Sequence, residues 1–318
     1  MAVELAFRPY QRRFAQPLRT AHGPWIWREG LIIRLCRLGR IGYGEVAPIS
    51  WFGSESLADA LVWAAQGEGS PECVPDGLPA TQFGLACALA NLDANDAGLE
   101  PSIADICGLV PAGEAAETAL KRVAQGHRTL KWKIGVFSTD EETQWLDQLV
   151  KALPQGIRLR LDANGGLSLS QAKRWLAMCD SINAGQLVTI EHLEQPLPPD
   201  QVAAMAALGS RYQTAIALDE SVATLAQLEY CWARGWRGVF VVKPAIAGLP
   251  QRLQAFYRQH RPRLVFSSAF ETCVGRRAAL DLAYRCSQRP IPALGFGTQG
   301  WFDDDWDTLT PAELWDRL

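Results

Sequence analysis

The pattern that most constrains the fold is a repeated alternation of short apolar strands with helical segments, which begins near residue 102. Eight strand-like stretches follow, and the later ones recur every 24 to 30 residues or so. Their sequences are ADICGLV, TLKWKIG, RLRLDAN, VTIEHLE, TAIALDE, GVFVVKP, RLVFSSA and ALGFGT. Such alternation favours a closed parallel barrel over an open sheet. We therefore predict an α/β protein with a (β/α)7β-type, TIM-like barrel over residues 102–299.

The first hundred residues have a different pattern. The stretch LIIRLCRLGRIGYGEVAPI is apolar on both sides of Gly39-Arg40, which indicates two antiparallel strands joined by a turn. The stretch ATQFGLACALANLDAND, residues 80–96, has leucines and alanines at helical spacing. We predict an N-terminal α+β capping domain over residues 1–101, with the C-terminal tail from about residue 300 to 318 packing back on it.

Composition excludes several classes of protein. Hydrophobic residues make up 48% and charged residues 20% of the 318 residues, so a buried core is expected. The net charge is −3 and no basic stripe is present, which argues against a nucleic-acid partner. No stretch has the 18 or so apolar residues of a membrane span, and the eight cysteines are scattered without a CxxC pair. We expect a cytoplasmic enzyme with free thiols and no membrane partner.

Polar residues close the apolar strands, at the end of a parallel barrel where active sites lie. Alternation along a strand sends Lys131 and Lys133 to the same face, so both can point into the barrel mouth. The strand-end residues are Lys131, Lys133, Asp162, Asn164, Glu194, Asp219, Glu220 and Lys243.

Three of these residues form a candidate metal site. Asp162, Glu194 and Asp219 are separated by 32 and 25 residues, so each step spans one strand and one helix. Three carboxylates that converge in a buried mouth repel one another unless a cation neutralises them, and oxygen ligands favour Mg²⁺. Zinc is disfavoured because the four histidines show no ligand spacing.

The lysines are candidates for proton transfer. An ordinary lysine pKa near 10.4 is too high for a base at neutral pH, but a second lysine and a metal cation both lower it. Removing a proton α to a carboxylate adds negative charge to that carboxylate, and a divalent cation with an ammonium group can stabilise this charge. The strand-end set fits α-proton abstraction, but this reaction is inferred from a family resemblance and not from the residues alone.

The motifs LKWKIG, LDANGG, LEQPL, LDES and VVKP, in this order, resemble the muconate-lactonizing branch of the enolase superfamily over the whole chain. Within that branch the chain is most similar to the o-succinylbenzoate synthase family. Residues 20–30 resemble the family's mobile N-terminal loop, which closes over the substrate. Gly42 to Glu45 is similar to its GxGE stretch, and Ser267-Ser268 with Glu271 looks like its SSxxES motif.

The resemblance implies an Mg²⁺-dependent syn dehydration of a succinyl carboxylate in menaquinone or phylloquinone biosynthesis, with Mn²⁺ able to replace Mg²⁺. Lys133 would take the proton and assist hydroxide departure, Lys131 would support the charged carboxylate, and Lys243 would stabilise the intermediate. The metal ligands would be Asp162, Glu194 and Asp219.

Further residues are implied to surround the substrate. Asn164 would contact the substrate or position other groups. Glu220 and Glu271 would position the residues that contact the substrate or the metal. The candidates for substrate binding are Asn164, Ser267, Ser268, Gly297, Thr298, Thr20 and Arg28. For Arg28 a purely structural role is an equal alternative.

Two departures and two alternatives remain at this stage. Ala269 stands where a third serine is common in the family, and Gly295 to Thr298 lacks the DxD pair of dipeptide epimerases, which argues against that activity. An N-succinylamino acid racemase would use the same lysines and metal ligands, so catalytic residues do not distinguish it. A barrel that only binds a carboxylate ligand is the other alternative. The oligomeric state is left open, and a monomer is compatible with the sequence.

Overall fold

The computed structural model describes residues 3–20, 22–66, 70–93 and 100–318. Residue 21, within the predicted N-terminal loop, and residues 94–96, at the end of the predicted helix, lie outside the described residues. No helix in the described ranges combines the length and apolarity that a membrane crossing requires. All eight cysteines are free thiols, as predicted.

The capping domain is an antiparallel sheet of three strands covered by helices. Its elements are β1 (Glu4–Thr20), β2 (Gly23–Arg37), β3 (Arg40–Val46), α1 (Leu57–Gln66) and α2 (Pro79–Asp93). The turn between β2 and β3 lies at Leu38 and Gly39, where the sequence predicts it. Gly42 and Gly44 allow α2 to pack directly on β3, because a Cβ at either position would overlap a backbone carbonyl of the helix.

The barrel begins with β4 and contains seven parallel strands in sequential order. The strands are β4 (Cys107–Val110), β5 (Thr129–Lys133), β6 (Arg158–Asp162), β7 (Thr189–Glu194), β8 (Ala215–Leu218), β9 (Val239–Val242) and β10 (Arg263–Phe266). The helices are α3 (Ala116–Ala124), α4 (Thr139–Ala152), α5 (Leu169–Gly185), α6 (Val202–Gly209), α7 (Leu225–Ala233), α8 (Pro244–Ala247), α9 (Pro250–His260) and α10 (Cys273–Arg285), followed in the tail by α11 (Pro311–Arg317). Ser138 and Ser168 cap α4 and α5 with reciprocal hydrogen bonds.

The predicted eighth strand is reduced to two single bridges that close the barrel. Leu294 pairs with Ile106, and Gly295 pairs with Ser267, both in parallel orientation. The amide of Cys107 donates to the Leu294 carbonyl at 2.8 Å, and the amide of Gly295 donates to the Phe266 carbonyl at 2.8 Å. No barrel helix follows this segment in the described residues, so the (β/α)7β architecture is confirmed.

The tail after the barrel contacts β1 of the capping domain. Phe302 forms an antiparallel bridge with Phe14, and their rings stack with centroids 4.6 Å apart. The buried guanidinium group of Arg12 lies 2.7 Å from Asp304 and 2.8 Å from Asp307. These two ion pairs compensate the burial of the Arg12 charge. The sequence did not predict β1, the strand that carries Arg12.

The segment around Arg28 corrects one prediction. Described residues of the range 20–30 belong to the ends of β1 and β2, which form a hairpin, so the predicted loop is mostly strand. The Arg28 side chain is only 1% exposed and donates to the backbone carbonyls of Ala269 at 3.0 Å, Pro48 at 2.9 Å and Glu29 at 2.7 Å, and to that of Ala47. These four backbone contacts favour the structural role of Arg28 over the predicted substrate contact.

A second buried group joins the capping domain to the barrel beside Arg28. The carboxylate of Glu45, at the end of the GxGE stretch, accepts from the amides of Thr272 and Gly275 at 2.9 Å each. It thereby satisfies free N–H groups in the first turn of α10. Tyr10 also donates to Glu45, at 2.5 Å. Arg28 and Glu45 therefore hold both sides of the segment from Ala269 to Gly275 against the cap.

Replacing Arg28 by Met should destabilise the protein by about 3–5 kcal/mol, because several buried carbonyl groups lose their donor. The free energy of unfolding in urea measures this loss. Arg317→Met is the matched control, because the Arg317 ion pair with Asp305 is exposed, and its loss should leave the free energy of unfolding almost unchanged. Equal effects of the two substitutions would contradict the role assigned to Arg28.

Candidate active site

Hydrogen-bond register brings the predicted residues together at one end of the barrel. Lys133 on β5 is paired with Asp162 on β6, and Asp162 is paired with Glu194 on β7. Neighbouring strands lie about 4.8 Å apart, so the three residues form one lateral row. Asp219 follows the end of β8 and Lys243 follows the end of β9, which extends the row around the mouth.

Alternation along β5 has the predicted result. Lys131 and Lys133 are partly exposed, whereas Trp132 between them is fully buried. The Trp132 ring meets Trp175 of α5 edge to face, with centroids 6.2 Å apart. The tryptophan thus anchors β5 on the helical layer, and both lysines face the interior.

The acids of the mouth are held by the lysines. The Nζ atom of Lys131 lies 2.8 Å from an Asp162 oxygen and 2.7 Å from a Glu194 oxygen. Lys243 pairs with Asp219, and Lys133 donates to the side-chain carbonyl of Asn164. In the described residues the Lys131 ammonium group lies between two carboxylates and that of Lys243 pairs with a third, and no three acidic, histidine or cysteine side chains already converge as a ligand cluster.

The charges on this row are unevenly balanced. Burial disfavours the Lys131 ammonium, but Asp162 and Glu194 outweigh it and hold the pKa of Lys131 well above the ordinary value. Burial also opposes ionisation of Asp162, yet Lys131 and Lys133 lower its pKa. These two groups are therefore charged at neutral pH.

On the opposite side of the mouth, the nearby positive charge does not offset the effect of burial. Burial raises the pKa of Asp219 to about 6 despite the adjacent Lys243. Burial and the charge of Asp219 together raise the pKa of Glu220 to about 8. One oxygen of Glu220 is buried without a hydrogen-bond partner in the described residues. An added cation would relieve this shortage.

The donor set suits a hard divalent cation in chemistry. All three predicted ligands are buried carboxylates on consecutive strands, and Mg²⁺ prefers carboxylate oxygen. One oxygen each of Glu194 and Asp219 accepts no hydrogen bond from the described residues. A common cation would compete for these oxygens with Lys131, which bridges Asp162 and Glu194, and with Lys243, which pairs with Asp219.

Asn164 connects the lysine to the acid on the other side of the mouth. Its backbone has a positive φ of 42°, which asparagine tolerates better than most residues. Its side chain accepts from Lys133 and donates to Glu220 at 2.8 Å. The predicted positioning role of Asn164 and Glu220 thus has a geometric basis.

Residues predicted to bind substrate from strands seven and eight differ in availability. Ser268 is buried, donates to Glu271 at 3.0 Å and accepts from the Phe270 amide at 2.9 Å, so its hydroxyl is used within its own loop. Ser267 is partly exposed, and among the described residues its hydroxyl makes one long contact, of 3.5 Å, with the Gly295 carbonyl. Of the two serines, Ser267 is the one with a hydroxyl free for a ligand.

Three further predicted residues, Glu271, Gly297 and Thr298, are buried or closely packed. One oxygen of Glu271 accepts from the Ala269 amide at 2.6 Å, and its other oxygen is buried without a partner in the described residues. A Cβ at Gly297 would lie 2.8 Å from the Cys107 carbonyl, so close packing against β4 requires glycine there. Thr298 is 9% exposed.

Two family models match this chain. The model described as "Enolase C-terminal domain-like" matches residues 114–286, more than half of the chain, and the model described as "MenC, N-terminal domain" matches residues 19–92. An o-succinylbenzoate synthase from Thermosynechococcus vestitus is 42% identical over 98% of this chain and 98% of its own length. The chain belongs to the o-succinylbenzoate synthase family.

Solved structures agree with this family. The crystal structure of o-succinylbenzoate synthase from Thermosynechococcus elongatus BP-1, complexed with Mg in the active site, has a TM-score of 0.89 and 40% identity, and the match covers 99% of this chain and 100% of that one. An N-succinyl Arg/Lys racemase from Bacillus cereus has a TM-score of 0.73 at 18% identity, covering 96% of this chain and 89% of that one, which shows a shared fold alone. The predicted family, the barrel with its cap, and the lyase class are confirmed.

In this member of the o-succinylbenzoate synthase family, Gln195 is a positioning residue that sequence reasoning missed. Its side chain is fully buried and accepts from the amides of Asp219 at 3.0 Å and Ser221 at 3.2 Å. It donates to the Ser221 hydroxyl at 2.8 Å and to the Leu197 carbonyl at 2.9 Å. Gln195 thus fixes the segment that carries Asp219 to the end of β7. Its place beside Glu194 was the only available signal.

An aromatic cluster beside the mouth was also missed. It joins the tip of the β1–β2 hairpin to a cap turn and to the loop after β10. The ring of Trp51 lies 5.1 Å from His22 and 5.4 Å from Trp25, and Trp25 lies 5.6 Å from Phe270. Thr20, at the same tip, donates to the Gly23 carbonyl at 2.8 Å, so its hydroxyl stabilises the turn. The hairpin tip therefore reaches the mouth through aromatic contacts.

Gln195→Leu should lower the free energy of unfolding by about 2–4 kcal/mol, because buried amide groups of Asp219 and Ser221 lose their acceptor. Chemical denaturation of the purified protein gives this value. Gln251→Leu, at an exposed position on α9, should change it by less than about 0.5 kcal/mol. A neutral effect at position 195 would mean that Gln195 does not hold this segment.

Proposed function

We propose that this protein is an o-succinylbenzoate synthase that dehydrates 2-succinyl-6-hydroxy-2,4-cyclohexadiene-1-carboxylate to 2-succinylbenzoate in the pathway to menaquinone or phylloquinone. The observation that carries the proposal is the lateral row of Lys133, Asp162 and Glu194, with Lys131 bridging the two acids. The row combines a candidate proton carrier, a fixed ammonium group and carboxylate ligands within one buried mouth. Family membership supports the choice of substrate.

Lys133 is the proposed base and acid. Its neutral amine removes the ring proton α to the carboxylate, and the resulting ammonium returns that proton to the departing hydroxyl on the same face, so that water leaves. The proton returns within one catalytic cycle, and no oxidant or reductant is required. Asn164, which accepts from Lys133, orients the amine towards the ring.

The other two lysines act by charge. Lys131 remains an ammonium between Asp162 and Glu194, where it stabilises the negative charge that the substrate carboxylate gains. Lys243 is proposed to stabilise the intermediate from the other side of the mouth, without transferring a proton. A dehydration confined to one face needs only one proton-transferring lysine.

Asp162, Glu194 and Asp219 are the residues that would hold Mg²⁺. A bound divalent cation supplies Lewis-acid stabilisation of the carboxylate charge, and Mn²⁺ is proposed to substitute for it. Gln195 fixes Asp219, and Asn164 with Glu220 fixes the adjoining surface. The side-chain hydroxyl of Ser267 is proposed to contact the succinyl group, with Thr20 and Thr298 at the edges of the same space.

Lys133→Ala should reduce turnover by at least about a thousandfold, because it removes the proton carrier on the reacting face. The loss of ultraviolet absorbance of the cyclohexadiene substrate measures the rate. Lys133→Arg keeps the positive charge but cannot act as a base at neutral pH, so it should not restore activity. Lys121→Ala, which removes an exposed lysine on α3, should have the turnover of the wild-type protein. Turnover of Lys133→Ala within about tenfold of wild type would overturn the assignment.

Removing divalent cations by dialysis against EDTA should abolish turnover, and Mg²⁺ or Mn²⁺ should restore it. Isothermal titration should show that Asp219→Asn weakens Mg²⁺ binding by at least about tenfold, since one carboxylate ligand is lost. Asp147→Asn, at an exposed ion pair with Lys151, should bind Mg²⁺ like wild type. Full activity after chelation would refute the metal site.

A parallel assay with N-succinylamino acids separates dehydration from racemisation. Racemisation requires proton transfer on both faces of one carbon, so it depends on Lys133 and Lys243 alike. Dehydration should dominate by kcat/KM. A larger kcat/KM for racemisation would replace the proposed activity by the racemase.

A further inference from the structure

An aromatic ring of the capping domain covers one of the mouth lysines. The Nζ atom of Lys243 lies 4.0 Å from the centroid of the Phe52 ring, within cation–π distance. Phe52 belongs to a short helical turn, Ser50–Phe52, that follows β3. Phe52 therefore comes from the cap, whereas Lys243 closes a barrel strand.

The cap turn that carries Phe52 is held in place from two directions. Within the turn, the Phe52 amide donates to the Ile49 carbonyl at 3.0 Å, and the Ile49 amide donates to the Ser54 hydroxyl at 2.7 Å. Gly53 has a φ of 125°, and a Cβ there would lie 3.0 Å from the Cβ of Ala223. The turn thus rests against the barrel segment that follows Asp219.

Lys243 has few other partners. Its side chain is 13% exposed, and its ion-pair partner in the described residues is the carboxylate of Asp219. In the proposed function Asp219 is a metal ligand, so its charge is shared with a cation and binds the lysine less strongly. The ring of Phe52 is uncharged and does not compete for the metal. It keeps its contact with the ammonium group whether or not Asp219 binds a cation.

We propose that Phe52 is a positioning residue that holds the Lys243 ammonium group over the mouth. This inference rests on the proposed role of Lys243 as a charge stabiliser. It also makes the site depend on correct docking of the cap, because the ring and the lysine belong to different domains. The Phe52 ring touches that of Trp51 edge to face at 6.0 Å, which links this contact to the aromatic cluster of the hairpin tip.

The kinetic test uses Phe52→Leu, which keeps an apolar side chain but removes the ring. We expect kcat for dehydration to fall about tenfold with KM within about twofold, since a cation–π contact in a desolvated site has this size. Phe52→Tyr should recover most of kcat. A series of Phe52 analogues with one, two and three ring fluorines should lower kcat stepwise, because fluorine weakens the ring face without changing its shape.

A double substitution and a control variant make the kinetic test specific. In Lys243→Met, the further change Phe52→Leu should have no additional effect on kcat, because the partner is already absent. Tyr230→Leu removes an exposed cation–π contact with Arg234, 5.5 Å from the Tyr230 ring on α7, and should leave kcat and KM unchanged. A full additional loss in the Lys243→Met background, or a loss of Phe52→Leu confined to KM, would overturn the proposal.

A spectroscopic readout separates this inference from the proposed function. The ring current of Phe52 should shift the NMR signals of the Lys243 side-chain ε-methylene group upfield in lysine-labelled protein. The shift should disappear in Phe52→Leu and persist in Phe52→Tyr. Both variants should keep the thermal midpoint of unfolding of the wild-type protein. An unshifted Lys243 signal in the wild-type protein would overturn the positioning role, whatever the dehydration assay gives. Wild-type turnover tests the proposed function independently.

Discussion

Parallel hydrogen-bond register is the constraint on which the rest of the site depends. Because Lys133, Asp162 and Glu194 are paired across three neighbouring strands, their side chains must meet at one level of the barrel. A shift of one residue in any strand would send a lysine or an acid to the helical layer. The two bridges of Leu294 and Gly295 close the same sheet and thereby fix its curvature. Chemistry in the mouth is thus a consequence of backbone pairing.

Several acids and lysines are buried at this level, and their charges are balanced by neighbouring groups to different degrees. Lys131 serves two acids at once, and its own charge is stabilised in return. Asp219 pairs with Lys243 and Glu220 accepts from Asn164, yet burial still raises the pKa of both acids. A barrel that only needed stability would replace such groups by apolar ones. Their retention beside an unbalanced charge favours a site built to receive a cation and an anionic substrate.

The sequence predicted the barrel and its strand-end residues because both are local signals. Apolar runs such as RLRLD and VFVV identify strands, and the residue after each run falls at the mouth. The bulge between Leu159 and Arg160, and the long strand β1, left no such signal. The two alternatives for Arg28 could not be separated from the sequence, because its acceptors include the carbonyl of Ala269, 241 residues away. Gln195 and Phe52 act through partners that only the folded chain brings near.

Specificity in this enzyme should therefore reside where cap and barrel meet. The candidate catalytic row lies within the barrel and suits either dehydration or racemisation. The segment from Ser267 to Gly275, by contrast, is held by Arg28 and Glu45 of the cap, and the cap also supplies Phe52 over Lys243. A change in how the cap docks would move a candidate substrate-binding serine and a lysine together. Substrate choice can then change without altering the residues proposed to transfer the proton.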